Sequence, residues 1–495
     1  MPGMIEVRGT PAQAARRFTL CGTVAGMIER LPQETALQPV HQLCRELRAG
    51  NITALQLTEL YLERIARLDG KLHAFVTVFT DAALAAAAHA DKRRQAGDSL
   101  GPLHGIPVAC KDIIEYQDRQ TTWGCKALEG RISEETATVI ARLESAGAIV
   151  LGKTHTVEFA LGGWGTNEHC GTPWNPWDLL VHRTPGGSSS GSGVASTAGL
   201  AAVTLGTDTG GSVRLPASFC GLAGLKPTFG RVSNAGVMPL STTLDTVGPL
   251  ARCIEDAALV YNCLQGPDPL HPQTQLQPPE DPLPTLRDGV AGLRLAALPA
   301  SERETVSAPV LAAYDESLQV LQSLGAEIVQ LDLPRSFAEY REASGTIISA
   351  EGYSNTWELI DREELPLDRH VRERMLPGKA ISAKDYLLAL RTLGQWRAEF
   401  EMTLRGYDAL LTPTSTTTAI PVAEVDETVV PAYFTRATNV LGWCALALPN
   451  GYDDAGLPTS LCIQGHPFDE ARVLRIGWAL EQATAGERRA PEGII

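Results

Sequence analysis

Apolar positions along this chain recur at two periods, helical and extended, and stretches of each kind follow one another for most of its length. Residues 41–67 predict two helices broken at Gly50-Asn51. In the second of them Leu57, Leu60, Tyr61 and Ile65 share a face, and Thr53 stands where an N-cap belongs. Residues 81–94 predict an Ala-rich helix, and the run GPLHGIPVACKDII at 101–114 predicts a loop feeding a buried strand that ends close to Lys111. An amphipathic helix over 136–146 and a short strand over 148–151 follow, and 194–203 has the small residues of a closely packed helix. Further on, the pattern predicts strands at 291–298, 326–333 and 407–412, a helix at 306–324 and a helix-rich region over 337–405. Such alternation is that of an α/β protein. No internal repeat is evident.

The pattern lapses in two places. Residues 266–289 hold seven prolines in 24 positions, which resists regular structure and predicts a surface linker. Residues 1–35 read as an N-terminal extension ahead of one large domain over 36–490, within which 337–405 is a candidate cap over the active site. Arg16-Arg17 followed by the apolar run 18–28 has the outline of a twin-arginine export signal. That run is short, is closed by Glu29-Arg30 and lacks a small-residue cleavage site. Residues 184–207 contain no charge and are long enough by count to span a bilayer, but their Gly and Ser content is too polar for one.

Composition narrows the function. At 44% hydrophobic and 20% charged residues the chain is an ordinary globular protein, and a net charge of -15 repels phosphate backbones and anionic lipid surfaces, so neither nucleic acid nor membrane is expected as a partner. Ten scattered cysteines without a CxxC pair fit buried apolar thiols in a reducing cytoplasm rather than a disulfide framework. His155, His169 and His182 share one stretch at spacings of no metal site, so no metal or other cofactor is expected.

The chemistry concentrates in TPGGSSSGSGVASTAGLAAVTLGTDTGGSVRLPASFCGLAGLK, residues 184–226, where two Gly-Gly-Ser clusters lie 24 residues apart between apolar flanks. Successive glycines let peptide N–H groups converge on an anion or a developing oxyanion. Two other patterns compete. GAIVLGKT at 147–154 fits the phosphate-loop expression, yet a helix precedes it and the strand AIVL occupies the place of the loop. GSSSG at 187–191 fits the nucleophile elbow with Ser189 central, but the prolines upstream weaken the required strand and the candidate His466 sits in a turn-like GHP.

The same segment, together with GIPVACKD around Lys111, GLKPTFGRVS and the stretch from Asn439 to Gly465, closely resembles the amidase signature family over roughly residues 40–485. The resemblance implies a single large domain with a mixed central sheet covered by helices on both faces, and an amidohydrolase without cofactor. It assigns Ser212 as nucleophile, Ser188 as a bridging serine usually found with a cis peptide, and Lys111 as base. The amides of Thr209, Gly210, Gly211 and Ser212 would form the oxyanion hole. This chain reads GGSSSGSG where the family usually has GGSSGGS, which places Ser190 at a common glycine position and leaves Ser189 as a fallback for the bridge. By family position 159–165 (FALGGWG) lines the site, with the carbonyl near Ala160 accepting a substrate N–H. Ala160, Leu161, Gly163 and Trp164 are the candidate pocket residues, the tryptophan favouring a bulky or aromatic amide, anilide or carbamate. Asp208 and Arg214, flanking Ser212, are expected to brace the loop.

These roles carry a physical demand. A serine hydroxyl needs an adjacent base, and a lysine of ordinary pKa about 10.4 is neutral in roughly one molecule in a thousand near pH 7.4. Burial disfavours the ammonium, and the apolar run before Lys111 is the setting that supplies it. The expectation is a stand-alone amidohydrolase, monomeric or homodimeric, acting on a small-molecule amide or carbamate. The alternative is the A subunit of a glutamine-dependent tRNA amidotransferase, which works inside a complex.

Overall fold

The strands that carry the site are buried at every position: β2 (Pro107–Lys111), β3 (Ile149–Thr154) and β4 (Val203–Asp208) have no exposed residue. Because successive strand side chains face opposite sides, burial throughout means that both faces of the sheet are covered. The computed structural model describes residues 30–494, so most of the expected extension, with Arg16-Arg17 and 18–28, lies outside the described residues.

With β1 (Phe75–Val78), β5 (Ala223–Lys226), β6 (Thr246–Ala251), β7 (Arg294–Ala297), β8 (Glu327–Gln330), β9 (Ala409–Pro413), β10 (Cys444–Tyr452) and β11 (Pro458–Gly465), these strands form one eleven-stranded sheet in the order β1-β3-β2-β4-β6-β5-β10-β11-β9-β7-β8. The sheet is mixed, as expected. β2 runs parallel to both β3 and β4, β7 runs parallel to β8 and β9, and the remaining pairs are antiparallel. β2 is thus an interior strand, and its last residue, Lys111, is delivered into the middle of the molecule.

The predicted helices near the N-terminus form at Val40–Ala49 and Ala54–Leu72. Thr53 accepts from the Gln56 amide while the Gln56 side chain accepts from the Thr53 amide, a reciprocal cap. From the second helix the buried Arg64 reaches across to donate to the carbonyls of Ala198 and Gly199. These groups lie just past the helix Ser190–Thr197, so a long-range guanidinium satisfies carbonyls at the exit of the small-residue segment. That helix starts and ends earlier than the residues 194–203 read from the sequence: Val203 already opens β4. The charge-free run is therefore a short helix and a central strand, both buried. Among the described residues no helix is long and apolar enough to cross a membrane.

The proline-rich stretch 266–289 holds turns and the short 3-10 helix Pro272–Gln275, and it is tied down at Asp268, whose carboxylate accepts from Thr138 and Ser233. The helix-rich region resolves into Phe337–Ile360, Arg369–Met375 and Ala383–Thr403. The first two each send one residue, Ile348 and Arg374, to the pocket described below.

Candidate active site

Lys111 has no exposed surface. Its Nζ donates to Ser188 Oγ at 2.7 Å and to Thr207 Oγ1 at 2.9 Å, the latter on the neighbouring strand β4. Burial pushes the ammonium down from its ordinary 10.5 to about 7, while the carboxylates of Asp245 and Asp208 act in the opposite direction. The buried lysine is therefore poised between its charged and neutral forms near neutrality.

Ser188 follows a cis peptide bond with Gly187, as the resemblance implied. Its carbonyl accepts from the Val157 amide at 3.1 Å and from Thr156 Oγ1 at 3.0 Å, which fixes the backbone from which the hydroxyl projects toward Lys111. Ser189, the fallback, is occupied elsewhere: its Oγ accepts from the Thr207 amide at 3.2 Å and faces the Thr207 carbonyl at 3.3 Å. Ser190 opens the helix Ser190–Thr197. The structure thus brings Ser188, and not Ser189, onto the lysine.

Ser212 lies in the turn between β4 and the helix Arg214–Cys220, 9% exposed, on the wall of a small pocket. The Ser189 amide donates to the Ser212 carbonyl at 3.3 Å and ties the two serine segments together. Among the described residues no hydrogen bond joins the Ser188 and Ser212 hydroxyls, and Ser212 lines the pocket.

The turn is held by Asp208. Its carboxylate accepts from the amides of Gly211 (2.8 Å) and Val213 (3.2 Å), from Arg214 Nε and Nη2 (both 2.9 Å), and from Asn439 Nδ2 (3.0 Å). Burial alone would raise the Asp208 pKa, but the Arg214 charge and its hydrogen bonds outweigh that and hold the carboxyl well below the usual range. Arg214 is in turn bound by Thr438 Oγ1 and Asn439 Oδ1. Asp208 and Arg214, expected to brace the loop, are thus both fully buried and paired with each other. Asn439, in the C-terminal stretch, completes the cluster, a part that sequence reasoning did not assign.

One expectation about the turn needs correction. The Gly211 amide, counted among four oxyanion donors, is committed to Asp208 and is not free. Among the described residues the amides of Thr209, Gly210 and Ser212 have no protein partner. Gly211 is instead the residue that makes the turn possible: its φ is +134°, and a Cβ there would lie 2.4 Å from Thr435 Oγ1. The same Thr435 hydroxyl donates to the Gly210 carbonyl at 2.7 Å. On the other side, Thr209 Oγ1 donates to Asp245, whose carboxyl is pushed up to about 7 by burial.

The pocket is lined by Ala160, Leu161 and Gly163, three of the four residues expected there, facing Thr209, Gly210 and Ser212. Phe159 and Ala160 both have left-handed backbone (φ +49° and +58°), a conformation that costs non-glycine residues energy and that clusters at functional sites. Trp164, the fourth, is not in the pocket. It is buried, stacked on Phe219 with ring centroids 6.1 Å apart, and its Nε1 donates to the Val429 carbonyl at 2.7 Å. Its bulk is spent on packing, which removes the reason for preferring an aromatic substrate. Two pocket residues that the sequence did not flag are cations, Arg374 and Arg436.

The competing patterns are placed elsewhere. Six residues of GAIVLGKT form the strand β3, with Gly152 inside it and Lys153 buried and bonded to the Ile114 carbonyl, so it forms no phosphate loop. His466 engages Glu401 and the Tyr407 carbonyl rather than a serine.

Lys111 is buried and bonded to Ser188, which follows a cis peptide, and residues 56–474 match the protein family described as Amidase. The chain belongs to the amidase signature family. As such it is a hydrolase acting on C–N bonds, on an α/β fold with a mixed eleven-stranded sheet. It is 37% identical over 473 residues to the A subunit of the Glutamyl-tRNA(Gln) amidotransferase of Geobacter metallireducens, covering 90% of this chain and 97% of that one. It also superposes on the peptide amidase of Stenotrophomonas maltophilia with a TM-score of 0.82 at 32% identity, covering 93% and 99% of the two chains. The A subunit of the Thermotoga maritima amidotransferase gives 0.80 at 31% identity, covering 94% and 99%.

Proposed function

We propose that this amidase hydrolyses a small-molecule amide through a Ser212 acyl-enzyme, with Lys111 as base and Ser188 as bridge. The observation that carries this reading is the 2.7 Å contact between a wholly buried lysine amine and Ser188 Oγ. Neutral Lys111 takes the Ser188 proton as Ser188 takes that of Ser212, and Ser212 Oγ adds to the amide carbonyl. The free amides of Thr209, Gly210 and Ser212 receive the oxyanion. Collapse expels the amine with a proton returned through Ser188, and water enters along the same relay to release the acid. The second link, Ser212 to Ser188, closes when substrate fills the pocket, since catalytic hydrogen bonds are commonly looser without it. The Ala160 carbonyl serves as acceptor for a substrate N–H.

A second reading, the A subunit of a tRNA amidotransferase, is favoured by the near full-length similarity to such subunits. Against it stands the pocket: glutamine carries an ammonium, and among the described residues no carboxylate lines the cavity to receive one. One experiment tests both. Aliphatic amides, anilides, carbamates and glutamine are screened with purified enzyme, using Ser212→Ala as the blank. Turnover of simple amides that vanishes in the blank supports the stand-alone amidase. Activity confined to glutamine, with copurification of two further subunits, replaces it with the amidotransferase.

A further inference from the structure

Arg436 is a cation without a counter-ion. Its longest-reaching contacts are two weak ones, from Nη1 to the Arg341 carbonyl and to Ser344 Oγ, both 3.4 Å, and among the described residues it forms no ion pair. It stands at the wall of the Ser212 pocket, against the oxyanion turn: a Cβ on Gly210 would lie 3.1 Å from its Cγ and 3.6 Å from its Nε. Its setting is adverse for a positive charge. It occupies the first turn of the helix Thr435–Leu441, where the backbone dipole opposes a cation. Burial lowers its pKa to about 10, with the charges of Arg341 and Arg374 acting in the same direction.

The groups around it offer no relief. From the helix Phe337–Ile360 come Arg341, Ser344 and the apolar Ile348, and from the helix Arg369–Met375 comes Arg374. Arg374 is already neutralised by Glu427 at 2.7 Å and donates to the Leu161 carbonyl. Apart from Thr209 and Ser212 of the turn, the rest of the lining is apolar, with Leu161, Leu215, Leu240, Val430 and Ala432 beside the glycines. In a chain of net charge -15, this partly buried guanidinium beside the nucleophile is left without a carboxylate among the described residues.

Building on the amidase reading, we infer that Arg436 is a specificity-determining residue and that the enzyme acts on amides carrying a carboxylate. A planar guanidinium accepts such a group through two parallel hydrogen bonds, and in an apolar pocket the pair is worth far more than in water. Among the described residues no acid lines the pocket, which selects against a substrate that also bears an ammonium, so an acidic amide fits and an amino acid amide does not.

The test compares isosteric pairs that differ in charge. Glutaric acid monoamide against pentanamide places the carboxylate on the acyl side, and N-butyrylglycine against N-propylbutanamide places it on the amine side. The native enzyme is expected to favour the acidic member of one pair in kcat/KM by about tenfold or more. Arg436→Gln is expected to collapse that ratio, chiefly through KM, and Arg436→Lys to retain part of it. A ratio taken within one variant is insensitive to the fraction of enzyme that folds. Calorimetric titration of the favoured acid into Ser212→Ala, with and without Arg436→Gln, gives a readout independent of turnover, with binding expected to weaken about tenfold or more. Neutral members preferred in both pairs, or a ratio and a binding constant unmoved by Arg436→Gln, overturn the inference. If Ser212→Ala still hydrolyses amides while the binding difference holds, the nucleophile assignment fails and the anion site stands.

Discussion

Replacing Lys111 by methionine separates what the buried amine does for chemistry from what it does to folding. The displacement of its pKa from 10.5 to about 7 corresponds to about 5 kcal/mol by which the folded protein disfavours the ammonium. Methionine has similar length and no charge to desolvate. It forfeits the two hydrogen bonds to Ser188 and Thr207, worth about 0.5–1.5 kcal/mol each. The expected net gain near pH 6 is about 2–4 kcal/mol of stability, together with loss of turnover. The sign follows from linkage. A lysine whose folded pKa lies below its unfolded one binds fewer protons when folded. Native stability therefore rises with pH between about 7 and 10.5, and the advantage of the variant shrinks across that window. Urea unfolding of both proteins at several pH values measures it. A variant no more stable than the native protein at pH 6, or a difference that does not change between pH 7 and 10, would refute the claim that burial is what tunes this lysine.

Other expectations follow from individual contacts. Ser188→Ala should lose about a thousandfold or more in kcat whereas Ser189→Ala stays within about tenfold, because only the first meets Lys111; steady-state kinetics on one amide decides it. Asp208→Asn leaves Arg214 buried without its counter-charge and should cost about 3–5 kcal/mol in denaturant unfolding at neutral pH. Gly211→Ala forces a Cβ into Thr435 at a positive φ, and its kcat should fall about a hundredfold or more as the oxyanion turn shifts. The Asp208 pair also predicts acid sensitivity. Its folded pKa lies below the ordinary 3.8, so its contribution is present above that value and disappears as pH falls through the folded one, which thermal melts of native protein and Asp208→Asn in acid would show as converging midpoints.

Much of this architecture was legible in the sequence because local signals and the global fold agree. Thr53 caps its helix, the apolar run before Lys111 is a buried strand, and 266–289 forms almost no regular structure. The two glycine clusters were legible because backbone that must bend or approach another backbone admits little else. What stayed hidden has a common cause: contacts between residues far apart in the chain carry no local pattern. Thr207 looks like any strand threonine until β4 is laid beside β2. Asn439 meets Asp208 across 231 positions. Arg436 lies in a helix of seven residues whose neighbours are buried, and only its lack of a carboxylate partner among the described residues distinguishes it. Trp164 misled for the complementary reason. A tryptophan beside glycines reads as a pocket wall, but Phe219 and the Val429 carbonyl already satisfy both its face and its N–H.

Covalent acylation by an activated ester, followed by intact mass between about pH 5 and 9, tests directly whether an uncharged Lys111 draws a proton through Ser188 from Ser212. The expected result is one acyl group on Ser212, formed at a rate that climbs about tenfold per pH unit below neutrality and levels off above an inflection near 7, with Lys111→Met and Ser212→Ala unlabelled. Acylation at another residue, or a rate indifferent to pH through neutrality, would contradict it.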